Sequence, residues 1–296
     1  MSQAPDLIAI RSARLSAEIN PLGAELHALR DAEGRDLMWD GDPAVWAGRA
    51  PILFPIVGAL AGGAYRWRGQ SYALPRHGFA RRRLFQLVER DASGATLRLD
   101  CDSETLSVYP FRFQLDLRFA VEGATLEVTA TVRNLGDAAS MPASFGFHPA
   151  FRWPLPYGQP RADHRIAFDH PEPAPIRRLD ANGLLLTEGL PTPVHGRDLP
   201  LTDDLFIDDA LIFDRLTSRT LRYGAGEGPQ LQIAFPAMPE LGVWTKPGAG
   251  YLCIEPWRGF ADPQGFTGDL AEKPGVFMVT PGGAVDCAMS VTLLAG

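Results

Sequence analysis

Apolar and polar residues alternate along two neighbouring stretches, Phe111-Arg-Phe-Gln-Leu-Asp-Leu-Arg-Phe119 and Leu126-Glu-Val-Thr-Ala-Thr-Val132. A period of two places every second side chain on the same face of a strand, so each stretch predicts a half-buried β-strand. Glu122-Gly123 lies between them and is typical of a tight turn. Together they predict an antiparallel β-hairpin.

The same alternation recurs along the chain, in Leu15–Ile19, Leu97–Asp100, Leu231–Phe235 and Val291–Leu294. The 26 prolines and 30 glycines are scattered at short intervals, as expected for many strands joined by turns. Helix is expected only as short turns around Pro43–Trp46 and Thr202–Leu205. The sequence therefore predicts an all-β fold, a large antiparallel β-sandwich that occupies residues 1–296 as a single domain.

The proline-rich stretch Pro154–Pro175 lacks the Gly/Ser composition of a flexible linker. It is interpreted as an elaborate surface loop within that domain. Arg76, Arg81, Arg82 and Arg83 form a basic cluster, interpreted as a solvated strand face, with an anion-binding site as the alternative. The formal net charge is −7, so we expect no nucleic-acid partner.

Residues 1–10 lack a basic region followed by a long apolar run, so no secretory signal is expected. No run reaches the roughly 18 apolar residues that a membrane-spanning helix needs, and no membrane partner is expected. Cys101, Cys253 and Cys287 are widely spaced and odd in number. This spacing predicts neither a disulfide framework nor a zinc site, and favours a reducing cytoplasm.

One carboxylate has an unusual setting, Glu255 in Tyr251-Leu-Cys-Ile-Glu-Pro-Trp-Arg258. The alternation indicates a strand that ends at Pro256, because proline cannot extend a central strand. Rigid backbone would then hold Glu255 beside Trp257, whose flat apolar surface suits a sugar ring. The carboxylate is a candidate general base, and a structural ion pair with Arg258 is the alternative.

Two histidines occupy constrained backbone. His77 lies between a proline-containing segment and Gly78, and is either functional or a satisfied surface histidine. His148 is flanked by aromatic residues and followed by Pro149, which predicts a strand end with limited solvent. Burial lowers the pKa of an imidazole and a nearby carboxylate raises it, so His148 could transfer protons near neutral pH. Zinc sites usually show short ligand spacers, and none is present, so no metal is predicted.

Five motifs, taken together and in this order, resemble those of the aldose 1-epimerase (mutarotase) family. They are Arg49-Ala-Pro-Ile-Leu-Phe-Pro-Ile-Val-Gly58, Arg76-His-Gly-Phe-Ala-Arg81, Gly146-Phe-His-Pro-Ala-Phe151, Asp208-Asp-Ala-Leu-Ile-Phe213 and Cys253-Ile-Glu-Pro-Trp257. The resemblance spans roughly residues 15 to 293. It implies a galactose mutarotase-like β-supersandwich with a small sugar, an aldohexose, bound in a cleft of one sheet. It also implies chemistry without a cofactor.

The resemblance assigns the proton-transfer roles. Glu255 matches the general base that removes the proton of the anomeric hydroxyl, and His148 matches the general acid that protonates the ring oxygen. His77 matches a second histidine that hydrogen-bonds the sugar.

For sugar binding, Asp209 matches the acidic residue that holds ring hydroxyls, with Asp208 as the register alternative. Many relatives carry an arginine where this chain has Ala59, so Arg49 becomes the candidate arginine. Trp257 could cover the C–H face of the sugar.

The leading functional hypothesis is interconversion of the α and β anomers of a free aldose. A hexose-6-phosphate mutarotase that holds phosphate with Arg81 or Arg82 is one alternative. A non-catalytic sugar-binding or sensing protein is another. We expect a monomer or a homodimer.

Overall fold

The computed structural model describes residues 6–296. Residues 1–5, part of the stretch considered for a secretory signal, lie outside the described residues. The strands are β1 Ile8–Arg11, β2 Leu15–Asn20, β3 Glu25–Asp31, β4 Ala64–Trp67, β5 Gln70–Ala73, β6 Gln86–Arg90, β7 Gly94–Asp100, β8 Phe113–Glu122, β9 Thr125–Asn134, β10 Met141–Ala143, β11 Phe145–Gly146, β12 Ala150–Arg152, β13 His164–Phe168, β14 Asp198–Pro200, β15 Leu211–Phe213, β16 Thr220–Ala225, β17 Gln230–Ala234, β18 Glu240–Trp244, β19 Tyr251–Arg258, β20 Phe277–Val279 and β21 Ala284–Leu294.

The strands form one large sheet and several smaller ones. Nine strands lie in the order β14-β13-β16-β17-β21-β9-β8-β7-β6. A five-stranded sheet has the order β11-β19-β18-β15, and β12 also pairs with β19. Strands β1 to β3 form a third sheet, and β4 with β5 and β10 with β20 form two small ones. All pairs of these strands are antiparallel, which confirms the predicted all-β sandwich.

The predicted hairpin is β8 and β9, paired from Phe113 opposite Asn134 to Glu122 opposite Thr125. Their buried residues alternate along both strands, with Leu115, Leu117 and Val128 turned inward. These side chains belong to one core cluster that runs from Ile8 to Val291. Burying one such side chain contributes about 1.5–3 kcal/mol. The alternation along many strands therefore explains how this shared core holds the nine-stranded sheet and the smaller sheets together.

Helix is scarce in the described residues. Asp203–Phe206 is a short 3-10 helix, at the turn predicted around Thr202–Leu205. Near Pro43–Trp46 there is only a hydrogen-bonded turn. The single α-helix within residues 6–296, α1 at Ser103–Val108, was not predicted, although Asp102 caps it through the Thr105 amide. No helix within residues 6–296 is long and apolar enough to cross a membrane.

The interpretation of Pro154–Pro175 as a surface loop is wrong for its central part. Strand β13 lies there and pairs with β14 on one side and β16 on the other, burying Ile166 and Phe168. Both partner strands come later in the chain, so the local composition carries no sign of this pairing.

The predicted strand end at Pro256 is also wrong, because β19 continues through Pro256 to Arg258. The Pro256 carbonyl accepts the amide of Phe147, which lies between β11 and β12. A residue of an antiparallel strand directs its N–H and C=O to the same side, so the missing donor of Pro256 faces that break. Because the neighbouring strand is interrupted between β11 and β12, the central strand β19 can contain a proline at this position.

Candidate active site

A cavity of about 280 Å³ lies on the face of the five-stranded sheet that carries the side chains of Glu255 and Trp257. Leu252 and Ile254 point to the opposite face and join the main core. The side chains that line the cavity come from strands and from the loops between them: Trp46, Arg76, His77, Arg81, His148, Leu179, Asp209, Ala210, Trp244, Glu255 and Trp257. The fold thus gathers five of the six predicted site residues.

Glu255 and Trp257 are placed by the central strand β19, flanked on both sides by hydrogen-bonded neighbours. The Trp257 ring fits against Gly146 on one neighbouring strand and Gly242 on the other. A Cβ atom added to either glycine would lie 2.7 Å or less from the ring. The sheet therefore holds the indole flat against its surface.

His148 lies in the break between β11 and β12, where the chain leaves the sheet. Its Nε2 atom is 3.2 Å from Oε2 of Glu255, and the two side chains are 11% and 2% exposed. Trp46 stacks on the imidazole at a centroid distance of 5.3 Å and an interplanar angle of 30°. The ion-pair alternative for Glu255 is not supported, because the Arg258 guanidinium lies over the Phe277 ring instead.

Burial disfavours the charged form of both members of this pair. Desolvation, with a further contribution from the Asp209 carboxylate, raises the pKa of Glu255 well above its ordinary value. Desolvation lowers the pKa of His148 to about 3. The pair therefore retains one proton over a wide pH range, with the neutral carboxyl and neutral imidazole favoured before a ligand binds.

His77 is fixed by two hydrogen bonds to one residue. Its backbone N–H donates to the Gly58 carbonyl at 2.9 Å, and its Nδ1 accepts the Gly58 amide at 3.1 Å. An Nδ1 atom that accepts an amide proton is itself unprotonated, so a neutral ring carries its proton on Nε2. Desolvation, aided by His148 and Arg81, keeps the pKa of His77 well below its ordinary value. His77 is thus a neutral hydrogen-bond donor.

Gly78 makes this arrangement possible, because the chain turns where it meets the Phe54-Pro55 segment. Gly78 has φ +70°, and an added Cβ would lie 2.2 Å from the Phe54 carbonyl oxygen.

We expect Gly78→Ala to lower the free energy of unfolding by about 2–4 kcal/mol, because it combines left-handed backbone strain with a backbone clash. Gly62→Ala is the matched control, because Gly62 has φ +64° and open space around it. Strain alone should cost about 1 kcal/mol there. Equal losses in urea unfolding would contradict the clash.

Asp209, not its register alternative Asp208, lines the cavity. Its backbone is left-handed, with φ 66°. Arg178 holds this loop by donating to the carbonyls of Asp209 at 2.6 Å and Leu205 at 2.7 Å. The Asp209 Oδ1 atom also accepts the amide of Ala210 at 2.9 Å. The carboxylate is therefore held at the cavity rim.

Arg49 does not join the other predicted site residues. Its guanidinium donates to the His27 carbonyl at 3.0 Å, away from the cavity lining, and its amide donates to Glu25. The expectation that Arg49 grips a sugar in this cavity is therefore corrected. Its contacts connect the start of the first motif to strand β3.

Arg76 and Arg81 supply the positive charge of the cavity instead. Within residues 6–296 neither pairs with a carboxylate, whereas nearby Arg83 pairs with Asp102 and Glu104. The expectation of a strand face is wrong for these two residues, because Arg76 lies in the loop after β5 and Arg81 lies within the 3-10 helix Ala80–Arg82. A Cβ added to Gly183 would lie 3.0 Å from Nη2 of Arg76 and 3.4 Å from Cβ of Ala59. The Arg76 guanidinium and the small side chain of Ala59 thus both lie close to Gly183.

Three residues of this site could hold a metal ion. The ligand atoms of His148, Cys253 and Glu255 all lie within 4.8 Å of one another. The prediction of no metal rested on the lack of a short ligand spacer, and the sheet register brings these atoms together without one.

The antiparallel sandwich is a galactose mutarotase-like fold, and its sheet-face cavity holds a buried carboxylate–imidazole pair beside tryptophans. The chain belongs to the aldose 1-epimerase family, whose model matches residues 6–265. Membership implies an isomerase-type enzyme, and small sugars are the substrates of this family.

Relatives match over nearly the full length of the chain. Protein LacX of Lactococcus lactis is 30% identical over 97% of this chain and 99% of its own length. A galactose mutarotase related enzyme from Lactobacillus acidophilus has a TM-score of 0.88 at 28% identity, covering 98% of each chain. A galactose mutarotase-like protein from Lactobacillus casei has the same TM-score and identity, covering 98% of this chain and all of that one.

The sequence interpretation missed two lining residues and the role of a third. Trp244 and Leu179 line the cavity without belonging to any motif. Arg76 precedes His77 in the second motif, and this position next to a predicted site residue was the signal that the sequence offered. Whether the Arg76 side chain reaches the cavity depends on how the turn at Gly78 directs the chain.

Proposed function

We propose that this protein is an aldose 1-epimerase that interconverts the α and β anomers of a free aldose. The observation that carries the proposal is the buried pair of Glu255 and His148, 3.2 Å apart in the cavity. Ring opening moves one proton off O1 and one proton onto the ring oxygen. Because both oxygens are bonded to C1, two neighbouring proton-transfer groups can serve them together.

In the proposed mechanism, sugar binding first moves the proton of the pair from Glu255 to His148. The Glu255 carboxylate then takes the proton from the anomeric hydroxyl while protonated His148 donates a proton to the ring oxygen. The bond between C1 and the ring oxygen breaks and leaves a free aldehyde. Rotation about the C1–C2 bond presents the other face of the carbonyl. Ring closure then uses the neutral Glu255 carboxyl as the acid and neutral His148 as the base, so the pair regains its starting state.

The remaining cavity residues orient the sugar. His77 offers a fixed Nε2–H donor to a sugar oxygen, and Asp209 can accept hydrogen bonds from ring hydroxyls. Arg76 takes the role first expected of Arg49. The indoles of Trp46 and Trp257 offer apolar faces to sugar C–H groups.

The direct test is polarimetry with freshly dissolved α-glucose and α-galactose. We expect the protein to speed the approach of optical rotation to its equilibrium value beyond the protein-free rate for at least one of these sugars. If the sugar binds but the rate measured with the protein equals the protein-free rate, the protein is a sugar-binding or sensing module on the same fold.

The pH dependence follows from the pair. As pH falls through the lower apparent pKa, both groups are protonated and the base is lost; above the raised pKa of Glu255, the acid is lost. The pKa of His148 is lowered to about 3 from an ordinary 6.5. We therefore expect kcat/KM to stay flat from about pH 7 to about pH 5. A tenfold fall with a midpoint near 6.5 would contradict this description of the pair.

A phosphorylated aldose is the second candidate substrate. Arg76 and Arg81 favour it, because both line the cavity and neither pairs with a carboxylate within residues 6–296. Guanidinium groups bind phosphate through charge-assisted hydrogen bonds. Comparing kcat/KM for glucose and glucose 6-phosphate separates the two candidates. A clear preference for the phosphosugar would make it, and not the free aldose, the proposed substrate.

Three cysteines without disulfides support a reducing, cytoplasmic setting for either substrate.

A further inference from the structure

We propose that Cys253, His148 and Glu255 form a three-ligand site for a borderline-soft divalent cation such as Zn²⁺, and that an ion bound there switches the enzyme off. Cys253 has no part in the proton transfers described above. The effect of a bound ion on catalysis rests on the proposed function, whereas binding of the ion does not.

The geometry comes from the sheet register. Cys253 and Glu255 are two residues apart on β19, so both side chains point to the same face. His148 enters from the break opposite them. In a tetrahedral zinc site, ligand atoms lie roughly 3.3–3.8 Å apart, as follows from metal–ligand bonds of about 2.0–2.3 Å. Nε2 of His148 and Oε2 of Glu255 are already 3.2 Å apart, and all three ligand atoms lie within 4.8 Å.

The ligand types also agree. Thiolate and imidazole favour zinc over magnesium or calcium, and one carboxylate is a common third ligand. A doubly charged ion bound by a thiolate, a carboxylate and a neutral imidazole has no net charge, which suits a buried position. Binding would displace one proton from the thiol and one from the carboxyl group.

Two observations point to a ligand at this position. Glu255 is 2% exposed, and its Oε2 atom makes no hydrogen bond among residues 6–296, because its polar neighbour, Nε2 of His148 at 3.2 Å, lies outside hydrogen-bond geometry. The cavity lies beside the cluster, which leaves a fourth coordination position for water. Three protein ligands with one open position is the arrangement in which zinc exchanges and reacts. Here the ion would occupy both the acid and the base, so catalysis would stop.

The test uses the full chain, stripped with a chelator and titrated with Co²⁺. We expect one equivalent to bind, with a thiolate-to-cobalt charge-transfer band in the near ultraviolet and the strong visible bands of four-coordinate cobalt. Cys253→Ser should abolish the charge-transfer band. Cys287→Ser, which changes a buried thiol outside the cavity, should retain it, as should Cys101→Ser. No band in the wild type, or a band that survives Cys253→Ser, would overturn the proposal.

A second measurement follows inhibition of mutarotation by Zn²⁺, with each variant compared with its own metal-free rate. We expect Cys253→Ser to raise the half-inhibitory Zn²⁺ concentration on the order of 100-fold, and chelator to restore the wild-type rate. Equal sensitivity in both proteins would refute the switch. If Cys253→Ser does not fold, Glu255→Gln should weaken Co²⁺ binding by a similar factor while keeping the charge-transfer band at saturation. Unchanged affinity would refute the site. The cobalt spectrum requires no turnover, so its outcome is independent of the proposed function.

Discussion

Glu255→Gln is expected to lower kcat for anomer interconversion by about 10²–10⁴-fold, the range for loss of a general acid–base group. Glutamine preserves the shape of the side chain and its place on β19, but it cannot accept the anomeric proton. Sugar affinity should therefore change only slightly, because His77, Asp209 and the tryptophans still line the cavity. Polarimetry gives the rate, and calorimetric titration with the sugar gives the affinity.

Glu240→Gln is the matched control for this substitution. Glu240 is also a buried glutamate, lies on the adjacent strand β18 and is outside the cavity lining. Its carboxylate accepts the Gly259 amide at 3.0 Å, which a glutamine oxygen can also do. We expect the Glu240→Gln rate to stay close to that of the wild type. Comparable rate losses in the two variants would mean that burial of a charge, and not proton transfer, explains the effect at Glu255.

His148→Asn is expected to have a similarly large effect, about 10²–10³-fold on kcat. Asparagine cannot protonate the ring oxygen, and it leaves Glu255 without its partner. His27→Asn is the control, because His27 is half-buried on strand β3 and lies outside the cavity. A full loss in the control would indicate that histidine replacement harms the fold in general.

The double variant tests whether the two residues act as one unit. Groups that share a single proton-transfer step are strongly non-additive, because removing either one already disables the step. We therefore expect Glu255→Gln with His148→Asn to be no more than about tenfold slower than the slower single variant. Multiplied losses would indicate that the two groups act independently.

Local patterns carried most of the fold and much of the site. Alternation in Phe111–Phe119 and Leu126–Val132 predicted the central hairpin, because β8 and β9 each bury one face along their length. His77, His148 and Glu255 stood out because glycine, proline and aromatic neighbours constrain their backbone. The order of the family motifs indicated that these separate segments contribute to one site.

Long-range geometry accounts for what the sequence could not indicate. Strand β13 was hidden in a proline-rich segment because its partners lie further along the chain. Pro256 was expected to end a strand, yet the break between β11 and β12 accommodates it. Arg49 and Arg76 each begin a motif, and only the direction of the backbone decides which guanidinium faces the cavity. The cluster of Cys253 with His148 likewise depends on strand register.

The most direct test of the acid–base pair is magnetisation exchange between the α and β anomeric protons of an aldose at equilibrium, measured by NMR. For the best substrate found by polarimetry, we expect wild-type protein to produce exchange between the two signals. Glu255→Gln should bind the same sugar, as shown by line broadening, without producing exchange. Exchange by Glu255→Gln at the wild-type rate would contradict the central role of the pair.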